Sequence, residues 1–224
     1  LAGDHQKFSA AGRLKGHPGA KNVYDVDTCQ LVGILKKMRD ESKQDGGAPL
    51  EVAPKFFIGA SWTPMADPID FRPINLMKKV NAGADFIQTQ GIYDMSLFRE
   101  QMAKIRNMGL HEKTAILAGI IVPKSAMMLK YMDSSVAGVS VPKSLIDRMN
   151  KAKEAAGEDK KKARELQEQE GTKIAIELIH QALETPGVKG VHIQAIEWES
   201  AIEGIVKAAG LYPRPIWSEP TASA

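Results

Sequence analysis

The sequence predicts an α/β protein built on a parallel sheet, and three observations predict it. Short apolar runs flanked by glycine and proline suit strands that are buried on both faces. Longer stretches between them place apolar residues at i, i+3, i+4 and i+7, the spacing of an amphipathic helix. The two patterns alternate roughly every 30 residues through the middle of the chain, as βα units do.

Leu1-Ala-Gly-Asp4 reads as the end of a strand running into a loop. Asp27-Thr28 then offers an N-cap for a helix whose stripe is Leu31, Ile34, Leu35 and Met38. Phe56-Phe57-Ile58-Gly59-Ala60, bounded by Pro54 and the Trp62-Thr63-Pro64 turn, is the next strand. Leu76 and Val80 mark a helix that Gly83 closes. Asp85 to Gln90 is a strand, and the helix after Asp94 carries Leu97, Phe98, Met102, Ile105 and Met108, with Gly109 as its stop. Ala115 to Ile120 follows as a strand. Ile174, Leu178, Ile179 and Leu183 form a stripe ended by Pro186-Gly187, and Val188 to Ala195 is the last strand. Ile202, Ile205 and Val206 form the final helix, stopped by Gly210.

Counting the fragment at Leu1, this makes about five βα units. A closed (β/α)8 TIM barrel takes about 250 residues, so about five of its eight units fit here beside one long helical insertion. On that reading the chain begins partway into a barrel. An open doubly wound sheet is the competing arrangement. Residues 1–212 are assigned to the barrel domain, with a charged helical insertion at 151–170, and 213–224 to a Pro- and Ser-rich tail. The insertion interleaves acidic and basic residues without aromatics, which suits a solvated helix with i,i+4 pairs rather than a nucleic-acid contact.

Composition narrows the function classes. A net charge of +3 from 30 basic and 27 acidic residues is too balanced to argue for nucleic acid or an anionic membrane. One cysteine, Cys29, leaves no intramolecular disulfide and makes a reducing cytoplasm the expected compartment. No apolar run reaches the roughly 20 residues of a membrane span. Nucleophile-elbow, zinc-protease, phosphate-loop and dinucleotide-binding signatures are all missing. The five histidines do not fall at metal-ligand spacing, so no metal is expected.

What remains is polar residues at the C-terminal ends of strands, where a βα barrel assembles its site. Asp4 follows the first strand, Thr63 the second and Gln90 the third; Lys124 and Ser125 follow the fourth, and Glu197-Trp198 the fifth. A glutamine there offers both a donor and an acceptor, and so can read the edge of a heterocycle.

An ordered series of segments then carries a resemblance. Leu1-Ala-Gly-Asp4, Val23-Tyr-Asp-Val-Asp27 and Lys78-Lys-Val-Asn-Ala-Gly-Ala-Asp85-Phe-Ile-Gln-Thr-Gln90-Gly-Ile-Tyr-Asp94 come first. Ile116-Leu-Ala-Gly-Ile, Pro123-Lys-Ser125 and Gly187-Val-Lys-Gly-Val-His-Ile193 follow. Together they resemble the methylenetetrahydrofolate reductase family, in the branch of bacteria and archaea with corrinoid-dependent one-carbon pathways. The resemblance implies a (β/α)8 barrel entered near its fourth strand. It also implies flavin-dependent reduction of 5,10-methylenetetrahydrofolate to the 5-methyl product, with FAD or FMN as cofactor.

Residue by residue, the resemblance places Gly3, Asp4, Asp25, Val26, Thr63, Asn75, Lys78 and Lys79 at the flavin. It places Asp4, Gln90 and Trp198 at the folate substrate, with Asp4 shaping the chemistry. Ala2 stands where the family often has arginine, and Arg72 replaces an acidic flavin contact, changes that suit FMN or weaker binding. The resemblance places the family's general-acid glutamate on the barrel's first strand, so no acid is assigned here, and if the chain is complete, activity by it alone is not expected. NAD(P)H or an iron–sulfur partner subunit is the expected electron donor, and an oligomer is expected. Two other readings stand beside this one. One is a non-catalytic pterin- or folate-binding or scaffold subunit of a one-carbon complex, and the other a pterin-dependent methyltransferase barrel.

Overall fold

The computed structural model describes residues 25–214. Gly3, Asp4, the strand ending at Leu1 and most of the predicted tail lie outside the described residues.

Four strands, β1 (Gly59–Trp62), β2 (Phe86–Gly91), β3 (Ala115–Ile121) and β4 (Val188–Gln194), pair in the order β1-β2-β3-β4, all parallel. Each strand therefore neighbours the next one in the chain, and the order never reverses. A doubly wound sheet needs that reversal, whereas a barrel is wound in one direction. Burial points the same way. Ala60, Trp62, Ile87, Thr89, Ile116 and Ala118 are buried, while Gly59, Ser61, Phe86, Gln88 and Leu117, alternating with them, keep partial exposure. Over β1, β2 and the start of β3 one face is thus sealed and the other stays partly open, the pattern expected of a barrel wall.

The sealed face packs against α2 (Arg72–Ala82), α3 (Met95–Asn107) and the long α7 (Lys160–Leu183). Leu76, Phe98, Met102, Ile105, Ile174 and Ile179 from these helices are fully or almost fully buried against the core. Ahead of the sheet, α1 (Thr28–Glu41) starts with a capping box. Asp27 accepts from Gln30 N at 2.8 Å, and Gln30 Oε1 accepts from Asp27 N at 2.7 Å. Its predicted stripe is only half-buried, and Val32 is the residue it seals completely.

At the N-terminal end of the sheet, Asp85 joins three elements. Its Oδ2 accepts from Ile58 N at 2.7 Å and from Arg39 Nη1 at 2.7 Å, tying α1 to the entries of β1 and β2.

The first predicted strand needs correction. Pairing begins at Gly59 rather than Phe56, because β2 offers its first partner at Phe86. Phe57 stays outside the ladder, 75% exposed, and stacks on Phe86 with ring centroids 5.2 Å apart.

Between β3 and β4 the chain makes an excursion through α5 (Ala126–Ser135), α6 (Lys143–Glu154) and α7. The charged stretch 151–170 is the end of α6, a turn and the first part of α7. It is not wholly solvated: Ala163 and Gln167 are buried, and Gln167 Oε1 accepts from Ala126 N at 3.1 Å. Arg148 braces the α6–α7 pair, with Nε 2.8 Å from Glu170 and its two Nη atoms 2.6 and 2.9 Å from Glu177. Lys161–Glu165 and Arg164–Glu168 are i,i+4 pairs on the outer face of α7. A short α4 (Leu110–Lys113), α8 (Ile202–Ala208) and two 3-10 turns, Ile69–Phe71 and Glu199–Ala201, complete the described elements.

Candidate functional site

Loops following the strands gather at the C-terminal end of the sheet, and side chains bound to backbone shape each one. After β1, Trp62 Nε1 donates to Arg72 O at 3.0 Å. The Arg72 guanidinium turns back onto its own loop, donating to Ala66 O at 2.9 Å and to Asp67 O. Thr63 is packed by a neighbour. Its methyl sits against Gly138 in the α5–α6 loop, where φ is +74° and any Cβ would collide with it. The excursion therefore reaches across to the β1 loop.

On α2, Leu76 and Val80 face the core, and Asn75, Lys78 and Lys79 at i, i+3 and i+4 share the adjoining face. Lys79 Nζ donates to the Ser61 carbonyl near the end of β1. Burial pushes its ammonium below the ordinary lysine range, opposed by the nearby Cys29 and reinforced by Arg72. Lys78 is exposed and lies 5.4 Å from the centre of the Phe71 ring. Helix α1 packs against α2, and burial, with Asp27 nearby, pushes the Cys29 thiol in its first turn above the ordinary range, opposed by the two lysines. Among the described residues, neither lysine pairs with a carboxylate. Two cations without a counter-charge, one of them partly desolvated, suit a phosphate.

Next along the sheet, β2 carries an irregularity between Gln88 and Gly91. Three residues of β2 advance against two of β3, so the ladder is broken at Thr89 and Gln90. The side chain of Thr89 repairs it: Oγ1 accepts from Gly119 N at 2.8 Å and donates to Gln90 O at 2.8 Å. Bulges of this kind re-aim side chains beside sites. Gln90 is half-buried there. Its Oε1 accepts from Gly91 N at 3.0 Å, and its Nε2 has no partner among the described residues.

Beyond β3, Ser125 caps α5 through Met128 N at 3.1 Å. Lys124 Nζ reaches the β4 loop instead, donating to Glu197 O at 2.8 Å and lying 5.8 Å from the centre of the Trp198 ring.

The family described as methylenetetrahydrofolate reductase matches residues 27–210, most of the chain. The chain belongs to this family. Its fold is accordingly the family's α/β TIM barrel, of which the described residues supply four successive strands. Methylenetetrahydrofolate reductase 1 of Schizosaccharomyces pombe is 28% identical over 161 residues, which cover 70% of this chain and 25% of that protein. The chain thus spans about a quarter of the length of this curated relative. A solved structure from Clostridium thermocellum, an uncharacterized protein that binds two copies of 5-methyl-5,6,7,8-tetrahydrofolic acid, is similar with a TM-score of 0.47 and 18% identity. That match covers 71% of this chain and 54% of the other.

Among the predicted site residues, Asn75, Lys78 and Lys79 share one face of α2, Asp25 and Val26 are exposed just ahead of α1, and Gln90 lies near the end of β2. Trp198 is in the loop after β4, which Lys124 reaches from the end of β3. Thr63 is in the β1 loop, where its methyl already serves loop packing. Gly3 and Asp4 lie outside the described residues. Lys124 is recognisable from the sequence as a strand-end residue but has no role assigned there, and nothing in the sequence singles out Thr89. No helix among the described residues is long and apolar enough to cross a membrane.

Proposed function

We propose that this chain provides the flavin and pterin seats of a reductase that converts 5,10-methylenetetrahydrofolate to 5-methyltetrahydrofolate, with FAD or FMN as cofactor. The observation that carries the reading is Lys79. It is a half-buried ammonium tied to a strand-end carbonyl, with Lys78 beside it and no carboxylate to neutralise either among the described residues.

Asn75, Lys78 and Lys79 would hold the ribityl and phosphate groups, with Asp25, Val26 and Thr63 along the same side. Lysine's remaining N–H donors are available once one is used on Ser61. Gln90 would bind the pterin: the amide's unpartnered Nε2 donates, and its oxygen has lone-pair capacity beyond the bond from Gly91. Trp198 offers a flat, half-buried face to the conjugated part of the substrate. Asp4 and Gly3 are proposed to complete the flavin side, Asp4 also touching folate. When bound, the reduced flavin supplies the hydride that turns the methylene bridge into a methyl group. The protein's part is to orient both rings and exclude water. NAD(P)H or an iron–sulfur partner would recharge the flavin.

A visible absorption spectrum of the purified protein, repeated after adding FMN or FAD and gel filtration, tests this. Retained flavin absorbance is expected, and it should fall in Lys79→Ala. A colourless protein that binds no added flavin but still binds folate would replace this reading with a non-catalytic pterin-binding subunit.

A further inference from the structure

The Pro123-Lys-Ser125 segment is not absorbed by the seats described above, and its lysine behaves unlike an ordinary surface lysine. Lys124 is half-buried, and its ammonium crosses from the end of β3 to the loop after β4, a partner 73 residues away in sequence. It makes two contacts there at once. One is a charge-assisted hydrogen bond to Glu197 O at 2.8 Å, and the other is a cation–π contact with Trp198 at 5.8 Å. The carbonyl it holds belongs to Glu197, whose φ is +53°, a left-handed conformation rare outside Gly, Asn and Asp. Such backbone persists only where its surroundings fix it.

From this geometry we infer that Lys124 is a positioning residue for folate: it clamps the β4 loop so that the Trp198 ring is held ready at the barrel mouth. Two observations fit a positioning role better than plain packing. The contact is polar and lies at the strand ends, and the only covalent continuity between the two loops runs through the whole α5–α7 excursion. Without the clamp the ring would have to be ordered at the moment of binding, and that cost would come out of affinity. The inference rests on the folate reading above, since it names what Trp198 is held for.

The test uses the full chain in four forms: wild type, Lys124→Met, Lys124→Arg and Trp198→Phe. The protein has three tryptophans, and Trp62 is fully buried, so subtracting the Trp198→Phe signal isolates the ring in question. In ligand-free protein, Lys124→Met should make that component more quenchable by acrylamide, and Lys124→Arg should restore its protection, because a guanidinium also stacks on indole. Titration with 5-methyltetrahydrofolate should show about tenfold weaker binding in Lys124→Met, equivalent to about 1.4 kcal/mol, with flavin retention unchanged and Lys124→Arg recovering most of the loss. Unchanged quenching in Lys124→Met overturns the clamp. Greater quenching with unchanged folate affinity overturns its role for folate while leaving the folate reading intact. A wild-type protein that binds no 5-methyltetrahydrofolate sinks the folate reading itself, while the quenching comparison still decides whether the clamp exists.

Discussion

Replacing Thr89 with valine keeps the shape of a buried residue and removes only its hydroxyl. Thr89 is 5% exposed, and that hydroxyl is the acceptor for Gly119 N at 2.8 Å and a donor to Gln90 O at 2.8 Å. In Thr89→Val the Gly119 N–H loses its partner at the bulge, which costs about 1–3 kcal/mol, and the lost donation costs about 1 kcal/mol more. The extra methyl returns about 0.8 kcal/mol of apolar burial. The net destabilisation is about 2 kcal/mol. With a urea slope of about 2 kcal/mol/M, the unfolding midpoint should fall by about 1 M. Thr89→Ser keeps both hydrogen bonds and loses one methyl, so it should cost only about 1 kcal/mol. Equilibrium urea unfolding followed by circular dichroism compares the two. If Thr89→Val unfolds with the wild type, or if Thr89→Ser is the worse variant, then the methyl matters and the side-chain repair of the bulge does not.

The two proposed seats should separate by mutation: Gln90→Ala weakens folate binding by about 1–3 kcal/mol and spares flavin, whereas Lys79→Ala lowers flavin retention. Equal flavin loss in both, read by absorbance after gel filtration, would show the roles to be misassigned. Gly171→Ala should destabilise the protein by about 3 kcal/mol through overpacking, because the new Cβ would lie 1.8 Å from Pro123 O, which is backbone and cannot swing away. A melting temperature within a degree or two of wild type would contradict that close approach. The Arg148 guanidinium holds the Glu177 carboxyl below its ordinary 4.5. A depressed carboxyl stabilises the fold above its unfolded pKa and loses that contribution as pH falls through the folded one. Arg148→Met should therefore cost about 1 kcal/mol near neutral pH, a figure kept small by solvent screening of a pair this exposed, and the gap should close as pH falls below the ordinary 4.5 and through the lower folded value. A gap that stays constant from about pH 7 to about pH 3 would rule out the ion pair as its source.

Most of the fold was legible because burial imposes a pattern. The runs at Asp85–Gln90, Ala115–Ile120 and Val188–Ala195 lie within a residue of β2, β3 and β4, and Asp27, Asp94, Gly83 and Gly109 mark the helix ends as expected. Phe56 and Phe57 misled, since an aromatic pair next to a strand reads like strand while here it lies beside the ladder. Helix α5 and the part of α6 before residue 151 carry no assignment from the sequence. Ala126-Met-Met-Leu-Lys-Tyr-Met has no clean polar face, and the charged end of α6 reads as solvent-facing until its neighbour α7 is known. At the site, residue types at strand ends were readable and their partners were not. Nothing local tells that Lys124 bonds a carbonyl 73 positions away, or that Thr89 stands in for a ladder bond, because both facts are consequences of register.

The two ends of the sheet use polar groups differently, and the difference bears on function. At the N-terminal end, one oxygen of the Asp85 carboxylate accepts from both Arg39 and Ile58 N, so it is used within the fold to tie α1 to the sheet. At the C-terminal end, polar side chains hold backbone in place with part of their capacity. Lys79 spends one donor on Ser61 O, Lys124 one on Glu197 O, and Gln90 one lone pair on Gly91 N. An ammonium has three donors and an amide can make four bonds, so each retains directed capacity after fixing its loop. Such a residue serves two ends at once, setting the shape of the mouth and leaving a preorganised group facing whatever enters it. That arrangement costs little reorganisation on binding, which is what a site needs if it is to hold two planar rings in fixed register.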